Sequence, residues 1–506
     1  MTKRIFSILI AGMIAIGTLA ACNSGTTSSV ASGSSEATNS TASKEDTLDP
    51  VTLNIYMRDS AGSDDNVVAE AISNLDAVKA LNVTVKMTKN PQGNDYAQAS
   101  TLALSSGEDI DILFDAAWLA YSSRVNGGAY ADISELLNTK YTKLKDTLPE
   151  ALWKAATVKG GIYCVPTYKE IGESYGLYVP ADFAKENNFD TSKVTKLSDA
   201  TELLELLVSK GHAGFMVTYG DTSLDRQAML PEYDVVDGNY SIVLGRDDGA
   251  KVENYFTTQN FADYCKLMKS WYDKGLIAKD VLTKEDYKDI ENDATKFGMT
   301  SLGYAPQAEA AFKISNGFDV TYMPISGVYA TTNNCLGSVW AVSAKSKNID
   351  RAVAFLEAWN TDPAVKNMIT YGIEGKHYDL VDGQVDRTKY EHWDEAWYCG
   401  NWASGNNYIS YTTVGETKDK WDVYKQYSDS AINSQLLGFS FDTSKVEGEY
   451  AAVSAVIKEY LPLLSVGVVD DVDAKIKDFN SALNAAGMET LVQEAQTQVS
   501  AFQASK

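Results

Sequence analysis

The chain has 506 residues and carries 44 Lys and Arg against 68 Asp and Glu, a net charge of −24. A surface this acidic argues against nucleic acid or anionic lipid as a partner. The 44% hydrophobic content permits a large core, in two or three domain-sized units.

At the front, Lys3 and Arg4 precede an apolar run from Ile5 to Gly17, and Thr18-Leu19-Ala20-Ala21 leads to Cys22. Cations, a short apolar run and small residues form the layout of a secretory signal peptide. The run falls short of the roughly 20 apolar residues that cross a bilayer. The Leu-Ala-Ala-Cys ending resembles the lipobox of bacterial lipoproteins, which implies cleavage after residue 21 and a lipid, such as palmitate, on Cys22. Residues 22–50 are rich in Ser, Thr, Ala and Gly and contain no aromatic, so they predict a flexible tether.

Order begins at Val51, where Val51 to Met57 alternates apolar and polar as a strand does. Asp59 to Asn66 reads as a loop, and Val68, Ala71, Ile72, Leu75, Val78 and Leu81 recur at helical spacing. Val83 to Met87 is a second strand, Tyr96 to Leu104 a helix, and Ile110 to Phe114 a third strand. Strand, helix, strand, helix, strand predicts parallel pairing in an α/β lobe, with ligands beyond the carboxyl ends of the strands. Further strands are expected at Gly161–Val165, Gly176–Val179, Phe215–Val217, Lys296–Leu302 and Val339–Ala344. Helices are expected at Ser198–Leu207, with Ser198 as N-cap, at Phe261–Lys274, Ala308–Phe312 and Asp350–Trp359, and from Pro363 onward. Three more close the chain, within 451–464, 471–486 and 489–502.

Chemistry-bearing motifs are scarce. Only His212, His377 and His392 offer imidazole, far apart in sequence, so no metal or other cofactor is expected. Neither a phosphate-cradling glycine loop nor the G-x-S-x-G or H-E-x-x-H pattern occurs. Cys164, Cys265, Cys335 and Cys399 are widely spaced without C-x-x-C, which favours buried free thiols over staples or zinc.

Several phrases resemble the solute-binding lipoproteins of bacterial ABC importers, family 1. They are Ser106-Gly107-Glu108-Asp109-Ile110-Asp111-Ile112 with Gly128 to Ile133, Gly161-Ile162-Tyr163 with Pro166, and Ser343 to Asn348 with Ala352, Phe355 and Leu356. Two others, Tyr371 to Tyr378 and Leu437 to Asp442, are similar to the LipO- or YtcQ-like subgroup. The tail from Tyr460 to Phe502 resembles that subgroup's extra domain, labelled DUF3502. The resemblance implies an α/β, two-lobed periplasmic-binding-protein-like fold of type 2 with a helical C-terminal extension. One lobe would span 51–165 plus 328–360 and the other 166–327 plus 361–435, leaving 436–506 as the extension. It also implies a non-enzymatic monomer that takes a carbohydrate, such as an oligosaccharide, between its lobes. That monomer would be held by lipid alone on the outer face of the cytoplasmic membrane, where it meets the permease.

Sugars expose apolar C–H faces to aromatic planes and a hydroxyl rim to carboxylates, amides and arginines. Family-aligned positions make Arg58, Asp59, Asp115, Trp118, Tyr168, Glu170, Tyr304, Asn401 and Trp402 the candidate ligand contacts. Trp118 stacks on a ring or packs between lobes, and Asp115 binds hydroxyls or caps a helix. Glu170 binds ligand or is a solvated crossover residue. His377 reads as structural, and part of the Trp393, Trp397, Tyr398, Trp402 run as one packed helix face. Two other functions fit the same residues. One is a peptide-binding or sensory lipoprotein; the other is a surface glycosidase, which would need two carboxylates at fixed separation.

Overall fold

Leu53, Ile55 and Met57 are buried along the first strand while Arg58 turns out to solvent, so the alternation places one face on a core. The computed structural model describes residues 48–90, 95–220, 228–229, 231–246, 249 and 251–505. The leader, Cys22 and nearly all of the tether lie outside the described residues.

The first sheet orders its strands Val83–Asn90, Val51–Ser60, Ile112–Asp115, Val339–Val342, Val165–Pro166. The first three run parallel, as expected. Val339–Val342 returns from the far side of the chain and pairs antiparallel with both neighbours. Helices Asp65–Ser73, Tyr96–Ser106 and Ile349–Thr361 supply apolar faces to this sheet. The helical repeat from Val68 to Leu81 is split, into Asp65–Ser73 and Asp76–Lys79, where Leu75 adopts an extended backbone.

The second lobe is built on an antiparallel sheet, Thr300–Gly303, Tyr175–Pro180 and Val320–Pro324. Its core gathers Leu177, Leu203, Phe215, Phe261 and Trp271. Phe215 is buried there, yet it makes only single bridges to Ile277 and Met299, so the Phe215–Val217 strand does not form. Ser198 is not an N-cap either: Leu197–Ala200 is a 3-10 turn, and the α-helix begins at Thr201, whose hydroxyl donates to the Ser198 carbonyl. By contrast Asp362 caps Pro363–Tyr371 as its sequence context predicts, accepting from the N–H of Ala364 at 2.8 Å.

Two expected bounds shift. Val365, Ile369, Trp397, Cys399 and Ala403 bury in the first core, so the return to lobe one runs well past residue 360. The three C-terminal helices, Glu447–Ser465, Val472–Ala485 and Met488–Ala504, place Val453, Phe479, Leu491 and Val499 in the second core. They are therefore continuous with lobe two in packing. Crossings between the lobes come together where Tyr329–Ala330 pairs with Ile432–Asn433 and Glu173 bridges to Tyr329.

Cys164, Cys265, Cys335 and Cys399 are all buried, and none of the four is in a disulfide. Burial pushes the Cys164, Cys335 and Cys399 thiols up to about 12, which leaves them unreactive near neutral pH. Among the described residues no helix is long and apolar enough to cross a membrane.

Phe479 is fully buried, with its ring 4.7 Å from Phe256 and stacked 5.3 Å from Tyr460. Phe479→Ala is expected to cost about 3–5 kcal/mol of stability. Thermal melting checks this; an unchanged Tm would show that the C-terminal helices do not share the lobe-two core.

Candidate functional site

Arg58 leaves the carboxyl end of the first strand and sends its guanidinium between two indoles. Its Cζ lies 5.7 Å from the Trp118 ring centre and 5.2 Å from that of Trp402. Such spacing is attractive through the ring quadrupoles. The two indoles are 6.3 Å apart and tilted by 46°. Buried Phe114 meets Trp402 edge-on at 5.7 Å and lies 6.5 Å from Trp118.

Each indole is held in place. Trp118 is 54% exposed, yet its N–H donates to the Gly337 carbonyl at 2.7 Å. Trp402 folds back over Gly400, where an added Cβ would lie 2.4 Å from the indole nitrogen; only glycine permits that approach. Asp59 accepts from the Gly400 N–H and so ties the first strand to this turn. Burial raises its pKa, against the lowering effects of Lys89, Gly400 and Arg58. Arg58, Asp59, Trp118, Trp393 and Tyr398 line a cavity of about 960 Å³.

Lys89 and Lys366 lie behind this face. Lys89 is buried, 3.0 Å from Asp65, with its ammonium 3.6 Å from the Trp397 ring centre. Lys366 is wholly buried and donates to Thr370 Oγ1 at 2.9 Å and Asn401 Oδ1 at 3.1 Å. Asn401 in turn donates to the Tyr371 hydroxyl. Both its polar ends thus point into the protein, and Asn401 positions the Trp402 turn.

Asp115 is also interior. It is fully buried, 3.1 Å from Arg124 Nη1, and it accepts from the Tyr130 hydroxyl and the Ala116 N–H. It neither meets solvent nor caps a helix; it fixes the loop that carries Trp118.

Tyr168, Glu170 and Tyr304 form a second group with three tyrosines that sequence reasoning missed. Tyr168 packs at 4.2 Å on Tyr408 and donates its N–H to Gly405. Glu170 pairs with Lys169 at 2.9 Å and keeps 22% of its side chain exposed. Tyr304 stacks on Tyr322 at 4.1 Å and meets Tyr427 edge-on at 5.9 Å. Burial raises the hydroxyls of Tyr408, Tyr424 and Tyr427, and the Glu170 charge adds to each shift. Tyr424 and Tyr427 lie on helix Lys420–Asp429 and carry no sequence signal that separates them from the other tyrosines. The segment from Trp402 to Tyr408 links the two groups.

His377 is structural: it is buried, accepts from the Ile373 N–H at 2.9 Å and meets Asp64 at 3.0 Å. In the 393–402 run, Trp397 is a core residue, while Trp393 and Tyr398 reach the cavity. No group of His, Cys, Asp and Glu suited to a metal occurs among the described residues.

The chain is similar to known proteins over most of its length. Residues 435–504 match the family described as "Domain of unknown function (DUF3502)". A "Carbohydrate ABC transporter substrate-binding protein" of Streptococcus pneumoniae is 26% identical over 410 residues, 81% of this chain and 82% of that protein. Among solved structures, the N-glycan transport solute binding protein NgtS of Streptococcus pneumoniae is 23% identical. It aligns over 90% of this chain and 99% of its own with a TM-score of 0.78. NgtS in complex with Man5GlcNAc aligns over 90% of this chain and 99% of its own at 23% identity, TM-score 0.68. The alginate-binding protein AlgQ2 is 18% identical, over 90% of this chain and all of its own, TM-score 0.61. The chain thus has the two-lobed fold of solute-binding proteins, and the region that matches the domain of unknown function is helical.

Removing one partner of a buried ion pair strands the other charge. Asp115→Ala is expected to cost about 3–5 kcal/mol, read as a lowered midpoint in denaturant. A loss below about 1 kcal/mol, the range of an exposed pair, would show that solvent reaches this pair.

Burial lowers the Lys366 amine to about 7. The unfolded chain keeps that proton up to about pH 10.4, so it binds more protons than the folded chain between pH 7 and pH 10. Stability contributed at this position therefore rises with pH across that window. The melting temperature of the unsubstituted chain relative to Lys366→Met is expected to climb from pH 7 to pH 9. A flat difference would mean the amine titrates normally.

Proposed function

We propose that this chain captures a neutral oligosaccharide between its lobes and presents it to the membrane permease of an ABC importer. One observation carries the reading: two fixed indoles with an exposed guanidinium between them at the strand ends, of which Trp118 and Arg58 line a cavity of about 960 Å³. Indole faces cover the C–H surfaces of sugar rings, and a guanidinium donates to their hydroxyl oxygens. Arg58, Trp118, Trp402 and Tyr398 form the first contact face, and buried Asp59 holds it from behind. Tyr168, Glu170 and Tyr304, with Tyr427, form the second. Closure of the lobes then brings the two faces onto one ligand and makes the change of shape that a permease reads.

The relatives support the same class of ligand. One is named a carbohydrate transporter's binding protein, and the NgtS complexes hold Man1GlcNAc and Man5GlcNAc. A glycosidase would need two carboxylates placed across a scissile bond. Asp115 is buried in an ion pair and Glu170 is paired with Lys169, so the two named carboxylates do not supply that arrangement. In this reading the chain works as a monomer without a cofactor. Cys22 carries the lipid that keeps it on the outer face of the cytoplasmic membrane.

Calorimetry against Man1GlcNAc, Man5GlcNAc, kestose and a peptide panel tests the reading. Heat from a saccharide, with a loss of at least tenfold in affinity (about 1.4 kcal/mol) in Trp118→Ala and in Trp402→Ala, is expected. Heat from peptides alone would overturn the sugar reading. Saccharide binding unchanged in both variants would overturn the site.

A further inference from the structure

A second cavity, of about 590 Å³, borders the loop that carries Trp118, through Ala117, Leu119 and Ala120. Leu119 lines both spaces, so they adjoin across a single residue. The walls of the second cavity come from three parts of the fold. Lobe one gives helix Tyr121–Asn126 through Ser123 and Asn126; lobe two gives the turn at Asp237 and Tyr240. The third wall is the C-terminal region, through Phe439, Phe441, Asp442, Glu447 and Tyr450.

The chemistry of this lining is one-sided. Aliphatic and aromatic side chains, hydroxyls, amides and four carboxylates (Glu173, Asp237, Asp442 and Glu447) line it, and the described lining residues include no Lys, Arg or His. The carboxylates differ in what they can do. Asp237 is buried, and its oxygens accept from the N–H of Ser241 and Ile242 and the Ser241 hydroxyl, so it shapes the turn. Asp442 is 3.2 Å from the exposed amine of Lys159. The Tyr175 hydroxyl donates to Glu173, while Glu447 is exposed at the start of its helix. Carboxylates accept hydrogen bonds from sugar hydroxyls and repel a uronate or sialate brought beside them.

The C-terminal region is also fastened to lobe one at this place. Ser440 Oγ lies 3.1 Å from Ser122 Oγ, the Lys159–Asp442 pair crosses the same boundary, and Gly438 N–H donates to Thr332 Oγ1 at 2.9 Å. The wall is therefore fixed to both lobes.

We propose that this second cavity takes the outer, uncharged sugar units of a long oligosaccharide whose inner units rest on Trp118 and Trp402, and that the domain of unknown function serves as its wall. The inference rests on the capture reading above. It gives the C-terminal domain a part in ligand choice: it favours long neutral glycans over short ones and over acid-bearing ones.

The test uses the full chain, Man1GlcNAc as the short probe, Man5GlcNAc as the long one, and the same long glycan capped with sialic acid. Ser123→Trp fills the cavity from lobe one, and Phe441→Ala removes an aromatic wall from the C-terminal side. Both are expected to weaken Man5GlcNAc at least tenfold and to change Man1GlcNAc less than twofold, the short probe reporting that each variant still folds. The sialylated probe is expected to bind the unsubstituted chain at least tenfold more weakly than Man5GlcNAc. Equal losses on both neutral probes, no loss on either, or a preference for the sialylated glycan would overturn the inference while leaving capture intact. An unsubstituted chain that gives no heat with any saccharide would overturn the capture reading as well.

Discussion

A carboxylate out of reach of solvent holds up the candidate site. Asp115 ends the Ile112–Asp115 strand, and Arg124, Tyr130 and the Ala116 N–H converge on it from the following loop and helix. A buried ion pair contributes little net stability, because desolvation offsets attraction, but it restricts geometry once every lone pair has a partner. The geometry it restricts is that of residues 116–121, which carry Trp118 into the open. The Gly337 carbonyl then fixes the indole from the neighbouring return segment. The exposed ring thus has two anchors, a buried charge pair and a backbone oxygen.

The same division recurs along the site. Trp402 and Arg58 present surfaces, whereas Asn401, Asp59 and Lys366 hold those surfaces from behind. Lys366 is costly to bury, yet two hydrogen bonds from its amine reach Thr370 and Asn401 at the base of the turn. A polar side chain next to a ligand-facing one in sequence is therefore here more often a support than a contact. Such supports set the precision of a binding face, since rigid aromatic planes bind only if their spacing survives without the ligand.

Much of the first lobe was legible in the sequence because its signals are local. The strands at Val51 and Val83, the helix from Tyr96 closed at Gly107, and the Asp362-Pro363 start all follow from periodicity and capping within a few residues. What escaped was non-local. Phe215 to Val217 has strand composition, but its burial comes from helix Gln259–Asp273 and the loop at Ile277 rather than from a partner strand. Asp115 and Trp118 follow the same strand, three residues apart, and nothing local says that one turns inward to Arg124 while the other stays out. Trp393, Trp397, Tyr398 and Trp402 look alike in sequence; only packing separates the core ring of Trp397 from Trp393 and Tyr398 at the cavity and from half-buried Trp402. Tyr408 and Tyr427 gain their place from Tyr168 and Ser174, more than two hundred residues earlier in the chain.

The second core joins Leu177, early in lobe two, to Val499 on the last helix. Every residue between them must be available before that core can be completed. Contacts so distant in sequence carry a large loop-closure entropy and slow the search for the native state. The first lobe needs the chain only as far as the return segment and can consolidate sooner. The first core itself reaches as far as Leu437, and the last helices lie beyond it in the chain. Without those helices the apolar faces they cover would be open to wrong partners, so the three helices also shield lobe two.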